Sequence, residues 1–351
     1  MKPAAQTVVK FSTTDDILGV LPYRIGFVPS ESVVMMCMVG PRRRDELVVR
    51  VDLLPDDQHE VTTGQLLAAV DRVKASTVFV ACYTEAADDT AGVLPRRPLI
   101  DGLVERLQKR GVDVLDAVLV RGGWRWSYCC SIEVCCPSAG TPLPAELTSA
   151  ANRYVAEVVA DGQALLPDRK ALVASIRPPG NPIARAVRRQ AYDRARDTLD
   201  SLHAGGGGPE QVRRHTIALL RTVLHRWAEG THQVSRDEAI LLALGFGDVR
   251  TRDEGITLSL EEPEIYLAVF TEMARHVEGA DGAPVCAMLA WAALANGNGA
   301  LSGVAVDRAL ACDPDYSLAH LIDSGLVGMM RAEPLREVTE NLRADVRAGR
   351  W

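Results

Sequence analysis

Four of the eight cysteines of the chain lie within the short segment 129–136. The surrounding sequence, WRWSYCCSIEVCCPSAG over residues 124–140, is typical of a strand that leads into a tight turn. Residues 131–134 would form a loop of four residues and return the chain at Cys135. Cys130 and Cys135 would then face each other across a hairpin.

Cysteines placed in this way can serve three purposes. Zinc is bound tetrahedrally by Cys and His, often through a C-x2–4-C pair, and Cys130, Cys135 and Cys136 provide such a pair with an adjacent third thiol. Two sulfurs at this spacing can also form a redox-active disulfide, and free cysteines commonly pack as small apolar residues. No histidine lies between His59 and His203, and a second pair of cysteines at similar spacing is missing, so the three purposes stay open. The sequence predicts no cofactor outright, and zinc is the candidate metal.

Five polar residues lie at predicted strand ends in the first half of the chain: Ser30, Ser32, Asp52, Glu85 and Arg121. Ligands of α/β proteins favour the crevice beyond the carboxyl ends of the strands. There the serines and the arginine could bind an anion, and a carboxylate could act as a base or a metal ligand. The same residue types also serve as ordinary turn and cap residues, so this pocket is one of two open interpretations.

Positive charge is concentrated in the middle of the chain. Residues 1–167 carry a net charge of −4, residues 168–226 carry +7 and residues 227–351 carry −10. The arginines that could contact nucleic-acid phosphates are Arg185, Arg188, Arg189, Arg213 and Arg214. Charge runs on helices are also commonly paired within the chain, and the acidic C-terminal part offers such partners.

The elements that would position these residues alternate between strand and helix in the first half. The predicted strands are 32–39, 47–53, 77–83, 112–121 and 124–130. The predicted helices begin near residue 14 and at about residues 63 and 98, each with apolar residues at helical spacing. This alternation predicts a mixed α/β sheet with flanking helices over residues 1–165.

Residues 166–351 are predicted to be all-helical, with breaks at the proline-rich run 178–182 and at the glycines 205–208. Within this domain, residues 283–316 resemble one tetratricopeptide unit, which is a pair of antiparallel helices. Its markers are Leu289 and Ala290 at close-packing positions, Gly297 at the turn and Ala309 on the second helix.

Several functional classes lack sequence support. The chain has no phosphate-binding glycine loop, no H-E-x-x-H zinc motif and no G-x-S-x-G nucleophile motif. Its N-terminus carries no apolar segment of signal-peptide length. Its longest apolar run, residues 285–295, is 11 residues, and a membrane span needs about 18. These features predict a cytoplasmic protein without a membrane partner.

Four stretches of the sequence resemble an actinobacterial family known as domain of unknown function 4192. They are residues 21–34, 121–143, 159–177 and 283–319. The cysteine turn followed by proline and glycine is the most specific of these stretches, and Cys130, Cys135 and Cys136 match the family's pattern. Cys129 stands where an apolar residue is more usual. The resemblance implies a shared fold and an actinobacterial, cytoplasmic origin, but no established activity.

The leading prediction is a non-catalytic interaction or regulatory protein whose helical domain binds a protein partner. The first alternative is an enzyme or small-ligand binder that uses the strand-end pocket. The second alternative is nucleic-acid binding through the central arginines.

Overall fold

The computed structural model describes residues 10–89, 91–160, 165–327 and 332–350. The chain divides into two compact units, Met1–Arg169 and Lys170–Trp351. The first contains a mixed sheet and the second is helical, as the sequence predicts.

The sheet of the first unit has six strands in the order β2-β1-β3-β4-β5-β6. The strands are β1 Ser32–Val39, β2 Arg44–Asp52, β3 Thr77–Tyr83, β4 Asp113–Arg121, β5 Trp124–Ser127 and β6 Thr141–Pro142. Neighbours β3 and β4 run parallel, and the other neighbouring pairs are antiparallel. The parallel pair requires a crossover, which the helix between β3 and β4 supplies.

The two strands β1 and β3 form the buried core of the sheet. All seven residues of β3 are buried, and so are seven of the eight residues of β1. Continuous burial of this kind occurs where both faces of a strand are covered. The helices of this unit are α1 Thr14–Ile25, α2 His59–Val73, α3 Arg97–Lys109 and α4 Ser149–Ala160.

The second unit consists of ten helices within the described residues. They are α5 Arg169–Ser175, which begins at the boundary, α6 Pro182–Leu202, α7 Gly208–Ala228, α8 Arg236–Gly245, α9 Val249–Thr257, α10 Pro263–Ala274, α11 Ala283–Ala295, α12 Gly299–Cys312, α13 Ser317–Val327 and α14 Ala332–Ala348. Between α6 and α7 the backbone of Gly206 adopts a φ of +85°, which interrupts the helix where the glycine run predicts a break.

Helix α11 is the centre of the second unit. Twelve of its thirteen residues are buried, and a helix that is apolar on all sides must be covered on all sides. It packs against α12, and the Ser302 hydroxyl of α12 donates a hydrogen bond to the Ala290 carbonyl of α11 at 2.8 Å. The predicted helix pair is therefore present, and its tetratricopeptide character stays a prediction.

Among the described residues, no helix combines the length and the apolar character that a bilayer crossing requires.

Candidate functional site

The cysteine segment differs from the predicted hairpin in one respect. Strand β5 pairs with β4 but ends at Ser127, and the next strand, β6, begins only at Thr141. The strand predicted to reach residue 130 is thus too long, and the return at Cys135 is not a strand. Cys130 and Cys135 belong to one long loop, which we call the cysteine loop (residues 128–140).

The cysteine loop nevertheless brings three sulfurs together. The Sγ atoms of Cys130 and Cys135 are 3.4 Å apart, and those of Cys130, Cys135 and Cys136 all lie within 4.8 Å of one another. Cys135 is exposed, while Cys130 and Cys136 are partly exposed. We call these three side chains the thiol cluster. Cys129 lies outside it.

One serine fixes the start of the cysteine loop. The Ser127 hydroxyl accepts hydrogen bonds from the backbone N–H groups of Cys129 (3.1 Å) and Cys130 (3.0 Å). It donates in turn to Oδ1 of Asp116 on β4, at 2.7 Å. A serine side chain that captures backbone donors in this way competes with the strand ladder, which is why β5 ends where it does.

The second half of the loop is fixed by a turn. The carbonyl of Ile132 accepts hydrogen bonds from the N–H groups of Cys135 (3.1 Å) and Cys136 (2.8 Å). The Glu133 carboxylate accepts a hydrogen bond from the N–H of Ser138 at 3.1 Å. These local bonds orient Cys135 and Cys136 toward Cys130.

The end of the loop packs on a tryptophan. Trp126 Nε1 donates a hydrogen bond to the Ser138 carbonyl at 3.2 Å. Gly140 has a φ of +87°, and a Cβ atom there would lie 2.5 Å from the Trp126 ring. Only glycine satisfies both the left-handed backbone and this close approach. Trp126 also stacks under the Arg121 guanidinium, 4.8 Å from the ring centroid, whereas Trp124 is 42% exposed.

The surroundings of the thiol cluster favour one thiolate. A backbone hydrogen bond from Ile132 lowers the pKa of Cys130, and hydrogen bonds from the Cys135 and Cys136 thiols lower it further. Burial raises the pKa of Cys136 to about 12. Burial of its sulfur also raises the pKa of Cys129. Cys130 therefore carries a negative charge at a lower pH than Cys129 or Cys136 does.

The predicted strand-end residues lie along one edge of the sheet. Ser32 pairs with Asp52 on one side and with Tyr83 on the other, and the Glu85 carboxylate accepts a hydrogen bond from the N–H of Gly122, which follows Arg121, at 3.2 Å. These residues lie close together because the strands that carry them meet at the same edge of the sheet.

Most polar groups at that edge bond to one another. Arg121 Nη1 donates to the Ala86 carbonyl (2.7 Å) and to Asp88 (2.8 Å). Arg50 Nη2 donates to Asp52 at 2.6 Å and to the Ser30 carbonyl at 3.4 Å.

Glu31 and Arg50, which the sequence analysis did not select as site residues, also lie at this edge. The Glu31 carboxylate, on a residue with a φ of +40°, accepts hydrogen bonds from the Thr84 hydroxyl (2.9 Å) and the Glu85 N–H (3.0 Å). Two buried atoms, Ser32 Oγ and Arg50 Nε, have no hydrogen-bond partner among the described residues.

The central arginines are largely engaged with carboxylates. Arg188 is only 2% exposed and pairs with Glu278 at 2.5 Å. Arg213 pairs with Glu210 and Glu254, and Arg214 lies 3.8 Å from Glu210. Arg185 and Arg189 are exposed. They line a cleft of about 290 Å³ with Tyr192, Arg196, Glu278 and Asp281.

A second cleft of the helical unit measures about 550 Å³ and is lined by Arg226, Thr231, Gln233, Val234, Ser235, Glu238, Glu272 and His276. Arg226 and Glu238 neutralise each other there, with bonds of 2.8 and 2.9 Å. The Arg226 hydrogen bond lowers the pKa of Glu238 to about 2. Burial lowers the pKa of His276.

Sequence comparison places the chain in a family without assigning it an activity. The family described as Domain of unknown function (DUF4192) matches residues 15–333. No curated protein and no solved structure matches the chain. The matched region spans both units and includes the whole cysteine loop, and the chain is therefore a member of the DUF4192 family.

Proposed function

We propose that this chain is a binding and regulatory protein whose thiol cluster holds a thiophilic metal ion of the Zn²⁺ class. The observation that carries the proposal is the convergence of three accessible sulfurs within 4.8 Å. In contrast to the thiols, most of the polar groups described above at the sheet edge and on the central helices already bond to groups of the same unit.

The separation of the sulfurs suits such an ion. Zinc binds thiolates at about 2.3 Å in a tetrahedron, which places two ligand sulfurs about 3.8 Å apart. The 3.4 Å between Cys130 and Cys135 lies a few tenths of an ångström below that value. The hydrogen bond from Ile132 that favours a Cys130 thiolate also favours metal binding, because the thiolate is the ligand form.

Three thiolates leave one position of a tetrahedron for another ligand. The nearby Glu133 carboxylate is engaged by Ser138, so water or a donor from a partner would complete the shell. The loop also exposes 64% of Ile132 and 97% of Val134. A protein partner that contacts these two apolar side chains would come within reach of the open position.

The predicted setting is the cytoplasm, where thiols stay reduced and available to metals. We also propose that α11 and α12 form the tetratricopeptide-like pair predicted from the sequence. A partner-binding role of the helical unit stays a prediction.

Metal titration tests the proposal. Co²⁺ substitutes for Zn²⁺ and reports thiolate ligation through its charge-transfer absorption, so the reduced full chain is titrated with Co²⁺ and then with Zn²⁺. We expect one ion per chain. Cys130→Ser, Cys135→Ser and Cys136→Ser should each weaken binding at least about tenfold, because even outer-shell changes cost 10–100-fold.

Cys129→Ser is the matched control, because Cys129 adjoins Cys130 but lies outside the thiol cluster. This variant should bind the ion as the wild type does. Absence of thiolate charge transfer, or equal loss of affinity in the control, would remove the metal proposal. A Cys130–Cys135 disulfide that forms under mild oxidation without any metal affinity would replace it with a redox role.

A second candidate function is the binding of a small anion at the strand-end edge. Ser32 Oγ and Arg50 Nε are buried hydrogen-bond donors without a partner among the described residues, and buried polar groups are normally satisfied. The two side chains share one face of the sheet, because Ser32 and Val34 pair with Asp52 and Arg50 respectively. An anion oxygen could accept from both.

Calorimetry with inorganic phosphate tests this candidate. We expect Ser32→Ala to weaken phosphate binding several-fold, whereas Ser30→Ala, at the exposed neighbouring serine, should leave it unchanged. Equal affinities in the two variants, or no heat at millimolar phosphate, would exclude the anion site.

A further inference from the structure

A second group of thiols lies in the helical unit. Cys286 belongs to α11 and is fully buried, and Cys312 is the last residue of α12 and is partly exposed. Cys312 Sγ lies against Gly282, the N-cap residue of α11, and each of the two thiols shifts the pKa of the other. The packing of α11 against α12 therefore brings together two sulfurs that are distant in sequence.

A glycine provides the space for this contact. Gly282 lies one turn before Cys286, and a Cβ atom at Gly282 would lie 3.2 Å from Cys312 Sγ. Any larger residue would press on that sulfur. The small residue at the start of α11 thus lets the Cys312 thiol approach the first turn of the helix.

An anchored arginine faces the pair. Arg308 lies one turn before Cys312 on α12, and its guanidinium donates a hydrogen bond to the Val277 carbonyl at 2.7 Å and another to the Ile176 carbonyl. These bonds hold a positive charge beside both thiols. Such a charge stabilises a thiolate.

The two thiols have unequal acidity. The neighbouring Cys286 thiol, together with Arg308, lowers the pKa of Cys312 to about 7, while burial, Asp313 and Glu278 oppose this change. The neighbouring Cys312 thiol and burial raise the pKa of Cys286. Cys312 is accordingly the nucleophile of the pair, and Cys286 is a thiol held next to it.

We propose that Cys286 and Cys312 form a dithiol that low-molecular-weight disulfides oxidise to an internal disulfide, joining α11 to α12. The Cys312 thiolate attacks one sulfur of the small disulfide, whose S–S bond breaks and releases one thiolate. The released thiolate takes the proton of Cys286. The Cys286 sulfur then attacks Cys312 Sγ and expels the second small thiolate. One small disulfide is reduced to two thiols, and the protein dithiol is oxidised.

This inference does not depend on the proposed metal site, which lies in the other unit. Oxidised glutathione is the probe, applied to the folded full chain with Zn²⁺ removed, and the products are mapped by peptide mass spectrometry. We expect a peptide pair joined through Cys286 and Cys312. The joined pair should appear in the wild type, so this result does not depend on the folding of any variant.

Serine substitutions distinguish the attacking thiol, Cys312, from the resolving thiol, Cys286. In Cys286→Ser the reaction should stop at a glutathione adduct on Cys312, because the resolving thiol is missing. In Cys312→Ser the buried Cys286 should stay unmodified while far-ultraviolet circular dichroism confirms the helices. A wild-type product without the joined pair, or an adduct on Cys286 in the Cys312→Ser variant, would overturn the proposal.

Discussion

The two groups of cysteines show how strongly the surrounding structure determines thiol chemistry. In the sheet unit, three sulfurs meet in an accessible loop that is shaped by backbone N–H groups donating to the Ser127 hydroxyl, the Ile132 carbonyl and the Glu133 carboxylate. In the helical unit, two sulfurs meet between packed helices beside the anchored Arg308. The first arrangement provides several ligand atoms, and the second provides one activated nucleophile with a neighbouring thiol.

Cysteine spacing in the sequence therefore gives only part of the information that decides which thiols meet. The thiol cluster arises within one short loop, so its members could be found from spacing alone. The Cys286–Cys312 pair arises from the contact of α11 with α12, which becomes visible only when the helices are packed. The following predictions test whether the two groups differ as described.

The two groups of cysteines should differ most in how fast they are alkylated. Cys135 is exposed and Cys286 is fully buried. If opening of the helix pair costs about 3 kcal/mol, fewer than about 1% of molecules expose Cys286 at a given time. Iodoacetamide should therefore modify Cys135 at least about 100-fold faster than Cys286, as measured by peptide mass spectrometry over time. The contrast should vanish in urea, and similar rates in the folded chain would contradict the packing of α11.

The next effect concerns the tryptophan that holds the cysteine loop. Gly140→Ala adds a Cβ atom 2.5 Å from the Trp126 ring at a φ of +87°. We expect a loss of about 2–3 kcal/mol in the free energy of unfolding, from backbone strain and overpacking together. Urea unfolding followed by tryptophan fluorescence measures this loss.

Gly123→Ala is the matched control for that experiment. Gly123 has a φ of +79° but nothing within 4 Å of its added Cβ atom. This variant should lose only about 1 kcal/mol through backbone strain. Equal losses in the two variants would mean that the Trp126 contact contributes nothing to the loop.

These experiments probe the part of the fold that sequence reasoning predicted least well. Strands β1 and β3 were predicted to the residue, because their apolar runs are buried on both faces and end at clear turn signals. The alternating aromatic pattern around Trp124 and Trp126 predicted a longer β5. Ser127 ends that strand by binding two backbone N–H groups, and a side-chain bond of this kind leaves little trace in an alternation pattern.

The candidate sites likewise combine features that the sequence predicts with features that depend on how the elements pack. The strand-end edge could be predicted, since strand ends follow from the strands themselves. The pairing of Arg50 with Asp52 and the role of Glu31 could not, because they depend on the register between strands. The arginines of the helical unit were visible in the sequence, but the carboxylates that engage Arg188 and Arg213 depend on how the helices pack.

A smaller effect is expected from the serine that positions the thiol cluster. Ser127→Ala removes the acceptor for the Cys129 and Cys130 N–H groups and the donor to Asp116. Loss of such outer-shell support costs roughly 10–100-fold in metal affinity, and we expect the lower end because the Ile132 turn remains. Co²⁺ titration measures the change, with exposed Ser131→Ala as the control. An unchanged Co²⁺ affinity in Ser127→Ala would mean that the thiols are positioned without this network.

The smallest effect is a difference in titration between adjacent thiols. The hydrogen bond from Ile132 lowers the pKa of Cys130, whereas burial raises that of Cys129. Because the thiolate is the reactive form, alkylation of Cys130 should reach its plateau at a lower pH than alkylation of Cys129. The sign for stability follows from the same shift: deprotonation of Cys130 favours the folded chain above the pKa of an unfolded thiol, and this contribution is lost as the pH falls through the folded pKa. Alkylation rates are measured between pH 6 and pH 10 with a chelator present. The midpoints of Cys130 and Cys129 should differ in the folded chain and coincide in urea. Coincident midpoints in the folded chain would show that the loop does not stabilise a Cys130 thiolate.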